Sequence, residues 1–305
     1  MKWEKKGLIH HPKSNASWNK KYDILPTPYF IEKDNVIRVF FGTTDDMNFG
    51  RITFIDIDAD NPLNVVYEHD DYVVDLGRDG TFDDCGVVPS SIIRKNDRYY
   101  MYTVGFQRTV KTPYMLFAGL LESSDLRSFS RVSESPILPR VGLRCISQGA
   151  PCVIFDGGMY KMWHWYATKW IDVNNKKFMD YHIGYAESTD GVSWNMHDEY
   201  CLKPEQSLNE FGVARPWVFK DDGVYHMYYS TRYVDKLYRI SYAYSFDGLK
   251  WIRTNQIPFD VSDKGWDSEM ICYPSVLKVK NKLYMFYNGN NNGETGFGYA
   301  EMVEK

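Results

Sequence analysis

One motif returns five times along this chain, roughly sixty residues apart, and a repeat of that period leaves few architectures open. It consists of a proline-anchored apolar run, a short polar turn, and a second run rich in tyrosine, methionine and phenylalanine. The copies begin near Pro28, Pro89, Pro151, Pro216 and Pro274, and their second runs close on Phe41, Tyr102, Trp163, Tyr228 and Phe286. Inside each copy the apolar side chains alternate with period two, and the runs are rich in β-branched and aromatic residues, so they are strands. The polar turns between them, such as 32–35, 94–97 and 220–223, predict hairpins.

A third, small/aromatic run follows at 117–122, 183–187, 240–244 and 297–301. An Asp-Gly turn at 190–191 and 247–248 then leads into a fourth, with a weaker version at 125–129. Four antiparallel strands per copy, repeated radially, describe a β-propeller blade. The expected fold is therefore all-β: a single five-bladed β-propeller domain spanning residues 1–305, with four-stranded antiparallel blades. The fifth copy ends at Lys305 just after its third strand. The residues around Trp3 and Pro12 match those around Trp194 and Pro204, and around Trp251 and Pro258. Residues 1–12 are thus expected to supply the closing strand of blade five, which removes an exposed sheet edge.

Aromatic residues make up 16% of the chain, with 24 tyrosines and 9 tryptophans, and packing between blades accounts for much of this. The net charge of −4 and the lack of a long basic run argue against a nucleic-acid partner. No stretch has the length and apolarity of a membrane span, and the opening residues lack the apolar core of a secretory leader. Cys85, Cys145, Cys152, Cys201 and Cys272 form no CxxC pair, so neither a zinc site nor a disulfide framework is expected, and a cytoplasmic location is. No cofactor is expected, and nothing indicates an axial calcium ion.

Strand direction puts the residues before each proline and after each second strand on one face of the disc. Those positions hold Trp18 and Asp23, Asp83 and Asp84, Arg144 and Gln148, Glu210 and Arg215, Asp267 and Glu269, then Arg108, Arg232 and Asn290. Carboxylates, guanidinium groups and indoles converging there suit a polyhydroxylated ligand: a small molecule or an oligosaccharide. Pairing of such charges between blades is the competing explanation for any one of them.

The proline-anchored strands, the Tyr-x-Met-x-Tyr runs and the turns at 188–194 and 245–251 resemble those of the five-bladed propeller glycoside hydrolases, the group of families 43, 32, 62, 68 and 130. The resemblance covers essentially the whole chain and implies a carbohydrate-active protein. The catalytic pattern departs from it. Where the arabinanase/xylosidase-like family carries two aspartates and a glutamate, this chain has Thr27, Ser90 and Gly149. Glycosidic cleavage commonly needs two carboxylates, about 5–5.5 Å apart in retaining enzymes and about 6.5–9.5 Å in inverting ones. The displaced acids Asp84 and Glu269, with Glu210 third, are the catalytic candidates. Trp18, Asp23, Arg144, Gln148, His164, Arg215, Arg232 and Asn290 are candidates for substrate binding. His164, set between tryptophans, is also read as a hydrogen-bonded core residue. The alternative is a non-hydrolytic protein on the same scaffold: a sugar or nucleotide-sugar binder, a glycan-assembly protein, or a phosphorylase whose Arg108, Arg144, Arg215 and Arg232 hold phosphate. A protein-interaction platform is a third option, disfavoured by the polar distribution.

Overall fold

A computed structural model of the chain describes residues 2–254 and 257–304. The chain is all-β, and the repeat appears as five strand units. In each, a first strand pairs antiparallel with a second: Lys21–Ile31 with Val36–Thr44, Gly86–Lys95 with Arg98–Arg108, Ser147–Asp156 with Met159–Ala167, Glu210–Asp221 with Val224–Tyr233, and Cys272–Val279 with Lys282–Asn288. Third strands follow at Gly50–Asp58, Tyr114–Ser123, His182–Ser188, Arg239–Ser245 and Phe297–Glu304. Units one and two touch through a parallel bridge between Gly50 and Gly86 and form one eight-stranded sheet; the others are separate four-stranded sheets. The N-terminal strand Lys2–His10 pairs antiparallel with Phe297–Glu304, Trp3 opposite Met302 and Leu8 opposite Gly298. It is the fourth strand of the last unit.

The Asp-Gly turns have a simple cause. Ser188 Oγ accepts the Asp190 and Gly191 amides, and Asp190 Oδ1 accepts those of Val192 and Ser193, which ties the chain into a tight corner. The Ser193 and Val192 amides hold the Asp190 carboxyl down to about 2. Ser245 and Asp247 repeat the arrangement. In unit two Ser123 and Asp125 do the same, with Leu126 at φ 60° where the other turns have glycine. This is why that copy of the motif was faint in the sequence.

Every first strand carries a one-residue bulge at its proline. In four units the preceding residue is left-handed: Leu25, Ala150, Arg215 and Tyr273, with φ between 48° and 57°. Bonds across the seams set the equivalences. Ser91 Oγ donates to the Pro151 carbonyl, and Ser275 Oγ to that of Pro26, at 2.8 and 2.6 Å. Pro26, not Pro28, is therefore the counterpart of Pro151; the run Pro26-Thr27-Pro28 offers two prolines, and only the bulge distinguishes them.

The aromatic residues are indeed consumed largely by packing between sheets. Trp163, Tyr102, Tyr228, Tyr229, Tyr284 and Tyr287 are each 1% exposed or less. Trp3 joins them: it is 6% exposed, and its indole N–H donates to the Tyr228 hydroxyl at 3.0 Å.

Candidate active site

A cavity of about 1010 Å³ lies where units three, four and five meet. One wall is an inserted hairpin, Trp170–Val173 with Lys176–Met179, turned by Asn174 and Asn175 at φ 49° and 62°. Two consecutive left-handed residues suit a two-residue hairpin turn, and asparagine tolerates them best after glycine. Asn174 Nδ2 donates to the Val234 carbonyl at 3.0 Å and ties this hairpin to the loop 233–238, the second wall. The third wall is residues 290–295, where Asn291 and Asn292 are also left-handed.

Arg232 is next to last in the second strand of unit four and lines this space. Its guanidinium carbon lies 4.5, 5.0, 5.3 and 5.9 Å from the ring centres of Tyr181, Tyr238, Phe178 and Phe211. Nε donates to the Tyr238 hydroxyl, and Nη1 has no partner. Among the described residues no carboxylate forms an ion pair with it. A planar fork held by rings, with an unused N–H, is built to receive an oxyanion, and the apolar walls strengthen the attraction. Lys176 and Lys236 line the same cavity.

Glu269 also lines it, exposed, on a fixed backbone. Asn290 Oδ1 accepts the amides of Glu269 and Met270 at 2.8 and 3.1 Å, and the Glu269 carbonyl accepts Arg239 at 3.0 Å. The Glu269 carboxylate forms no ion pair among the described residues, so it is available to a ligand. Of the sequence candidates, then, the structure brings Arg232, Glu269 and Asn290 to one cavity, with Asn290 positioning the acid.

The other candidates do not line this cavity and make contacts of their own. Glu210 is 4% exposed and forms a two-pronged pair with Arg253 at 2.6 and 2.9 Å while accepting the Glu205 amide. Its role in this structure is to fasten unit four. Glu210→Ala is expected to cost about 1.5–3 kcal/mol, since Arg253 loses its two-pronged partner but keeps Glu205 at 3.1 Å; denaturant unfolding checks it. Asp84 Oδ2 accepts the Gly80 amide at 2.9 Å within its own loop, while Oδ1 is buried without a partner. Trp18 packs edge-on against Tyr72 at 5.7 Å. Arg144 donates to the His197 carbonyl and lies 5.0 Å over the Tyr166 ring, and Gln148 donates to the Pro139 carbonyl at 2.7 Å. His164 is fully buried, and burial together with the charge of Arg144 pushes it down to about 3, so its ring is neutral. Arg215 reaches Thr27 and Ser90, two of the positions where the arabinanase-like pattern has acids.

Asp23 is fully buried and bonded to His10 Nδ1 at 2.8 Å, and His10 Nε2 faces Glu68 at 3.3 Å. Lys13 pairs with Glu68 in turn. Burial opposes charge on His10, but Asp23 and Glu68 prevail and raise its pKa above the ordinary 6.5. A histidine with a raised pKa stabilises the fold fully below its unfolded value and ceases to do so as pH rises through its folded value. The stability difference between the native chain and His10→Asn should therefore be largest below about pH 6.5 and shrink above it; unfolding midpoints across pH 5–9 measure this.

The cavity residues missed by sequence reasoning are Phe178, Phe211, Tyr238, Lys176 and Lys236. The Asn174-Asn175 pair was a legible hairpin signal, but what that hairpin covers was not. Among the described residues no group of three or more His, Cys, Asp or Glu side chains is placed to hold a metal ion.

Comparison with known proteins adds three findings. The family model for β-1,4-mannooligosaccharide phosphorylases matches residues 168–288, a span that contains Lys176, Phe178, Phe211, Arg232 and Glu269. An uncharacterized protein of Mycobacterium tuberculosis strain H37Rv, Rv1502, is 34% identical over 301 residues, covering 98% of this chain and 99% of that protein. Among solved structures, one from the family of mannoside phosphorylases containing hydrolases of β-1,2 mannosidic linkages in Candida mannan has a TM-score of 0.75 at 12% identity, covering 98% of this chain and 93% of that one. An endo-arabinase from Bacteroides thetaiotaomicron has a TM-score of 0.69 at 15% identity, covering 98% and 99%. At such identities the structures show the shared fold.

Proposed function

The chain belongs to the β-propeller superfamily of glycoside hydrolases and phosphorylases, in one family with the mycobacterial Rv1502, and from that premise we propose that it cleaves a glycosidic bond by phosphorolysis in the cavity between Arg232 and Glu269. The substrate proposed is a β-linked mannooligosaccharide, on the strength of the family model that spans the cavity. The observation that carries the reading is Arg232: a caged guanidinium with an unused N–H and no acid partner, in the same cavity as an uncommitted carboxylate. We also infer five blades in a closed ring, supported by the pairing of Lys2–His10 with the last strand.

In this mechanism Arg232 orients inorganic phosphate, with Lys176 and Lys236 adding positive charge. Glu269 donates a proton to the leaving glycosidic oxygen. The phosphate oxygen attacks the anomeric carbon, so the products are a sugar 1-phosphate and the shortened glycan. Because phosphate replaces water as the nucleophile, no second carboxylate is needed to activate it. Asp235 and Glu294 line the same cavity, but each accepts a bond from an asparagine, Asn209 and Asn291 respectively.

The test is turnover of β-mannooligosaccharides with and without inorganic phosphate. Sugar 1-phosphate formed only in its presence is the expected result. Equal turnover in its absence would assign hydrolysis instead.

A further inference from the structure

Arg108 lies outside the large cavity and lines a second one. This cavity, of about 380 Å³, sits at the seam of units one and two, and Met47, Asn48, Phe106, Arg108, Tyr114 and Leu116 are among its lining residues. Side chains alternate along a strand, so Phe106 and Arg108 share one face of unit two, with Leu116 and Tyr114 directly opposite them on the third strand. Gly86 pairs with Phe106 on its other side and bridges to Gly50 of unit one. A Cβ at Gly86 would come within 2.2 Å of the Phe106 ring, and one at Gly50 within 3.0 Å. The ring occupies the space that these two glycines leave, which holds it in place.

The wall contributed by unit one is fixed too. Asp45 Oδ1 accepts the amides of Met47 and Phe49, both at 2.9 Å, and Asn48 between them is left-handed at φ 61°. The Arg108 guanidinium lies 4.5 Å from the centre of the Phe49 ring and donates to the Met47 carbonyl. Arg108 is exposed and forms no ion pair among the described residues, so its other N–H groups are open to a ligand. Two rings, a guanidinium and a side-chain amide around one small cavity suit a sugar, whose C–H face rests on the rings while its hydroxyls pair with Arg108 and Asn48. No acid lines the cavity, so a sugar there is held and not cleaved.

The second cavity is also tied to the first. Tyr114 packs edge-on against Trp170 at 5.8 Å. Trp170 begins the hairpin whose other face, with Val173, Lys176 and Phe178, walls the large cavity. We propose that the cavity at Phe106 and Arg108 is a non-catalytic sugar subsite, which holds a β-mannosyl unit remote from the bond being cleaved. The identity of the sugar rests on the function proposed above; the site rests on the geometry of units one and two. A long glycan thus gains a second point of attachment beyond the hairpin, and its affinity exceeds that of a short one.

The experiment reads binding in the absence of phosphate: calorimetric titration of the full chain with β-1,4-mannobiose and β-1,4-mannohexaose, and crystals soaked in β-1,4-mannotriose. The map should show a pyranose ring against Phe106 and Tyr114, with a hydroxyl within about 3.5 Å of the Arg108 guanidinium, a readout that needs no variant. The hexaose should bind more tightly than the biose, and Arg108→Ala should weaken hexaose binding about 10–100-fold. A map with no sugar at Phe106, equal affinities for biose and hexaose, or native hexaose binding by Arg108→Ala each overturns the proposal. A chain that binds sugar here yet forms no sugar 1-phosphate keeps this subsite and loses the reaction assigned above, so the two failures are told apart.

Discussion

Glu269→Gln is expected to lower kcat by about 10²–10⁴-fold, the usual contribution of a general acid, without a measurable change in the unfolding midpoint. The residue is exposed, its backbone is held by Asn290 and Arg239, and its carboxylate anchors no other side chain among the described residues. Glutamine preserves the shape and removes only the transferable proton. Arg232→Met should act on the other reactant: one charge-assisted hydrogen bond is worth about 1.5–3 kcal/mol, so KM for phosphate should rise about 10–100-fold. Initial rates over a grid of glycan and phosphate concentrations separate the two effects. Full turnover by Glu269→Gln would remove the carboxylate from the mechanism.

Removal of residues 2–12 should abolish cooperative folding of the entire chain, not just fray one end. Three different contacts go at once. Trp3 leaves the aromatic core and its bond to Tyr228; Lys5 leaves Asp267, at 2.8 Å; and His10 leaves Asp23 fully buried with no proton donor beside it. Loss of a buried tryptophan alone costs about 3–5 kcal/mol, against a total stability of about 5–15 kcal/mol for a typical protein. The strand Phe297–Glu304 would also become an open edge, a template for aggregation. Far-UV circular dichroism and size-exclusion chromatography of the shortened chain measure the outcome. A monomer with native spectrum and midpoint would mean that the N-terminal strand is dispensable. Trp3→Ala, which removes one contact of the three, should lower the midpoint and keep the transition cooperative.

How much of this was legible beforehand follows from the range of the interactions involved. Strand alternation, the Ser-x-Asp-Gly corners and the match of Trp3 to Trp194 and Trp251 are local signals, and the four-strand units and the N-terminal pairing follow from them. Even the faint corner at Asp125 obeys the same bond pattern, with Leu126 tolerated where glycine is usual.

The acids were a different matter. From composition and spacing, Asp84, Glu269 and Glu210 were all candidate catalytic acids, and Asp23 a candidate binder. What separates them is a partner distant in the chain: Arg253 for Glu210, His10 for Asp23, and none for Glu269. Arg215 and Arg232 likewise read the same as letters, yet one is enclosed between Thr27, Ser90 and Trp217 and the other opens on a cavity. Hydrogen bonding within a few residues is written in local order, so the strands and corners could be read directly. Whether a charge is spent or available depends on what the folded chain brings to within about 3 Å of it, and no local pattern of residues encodes that.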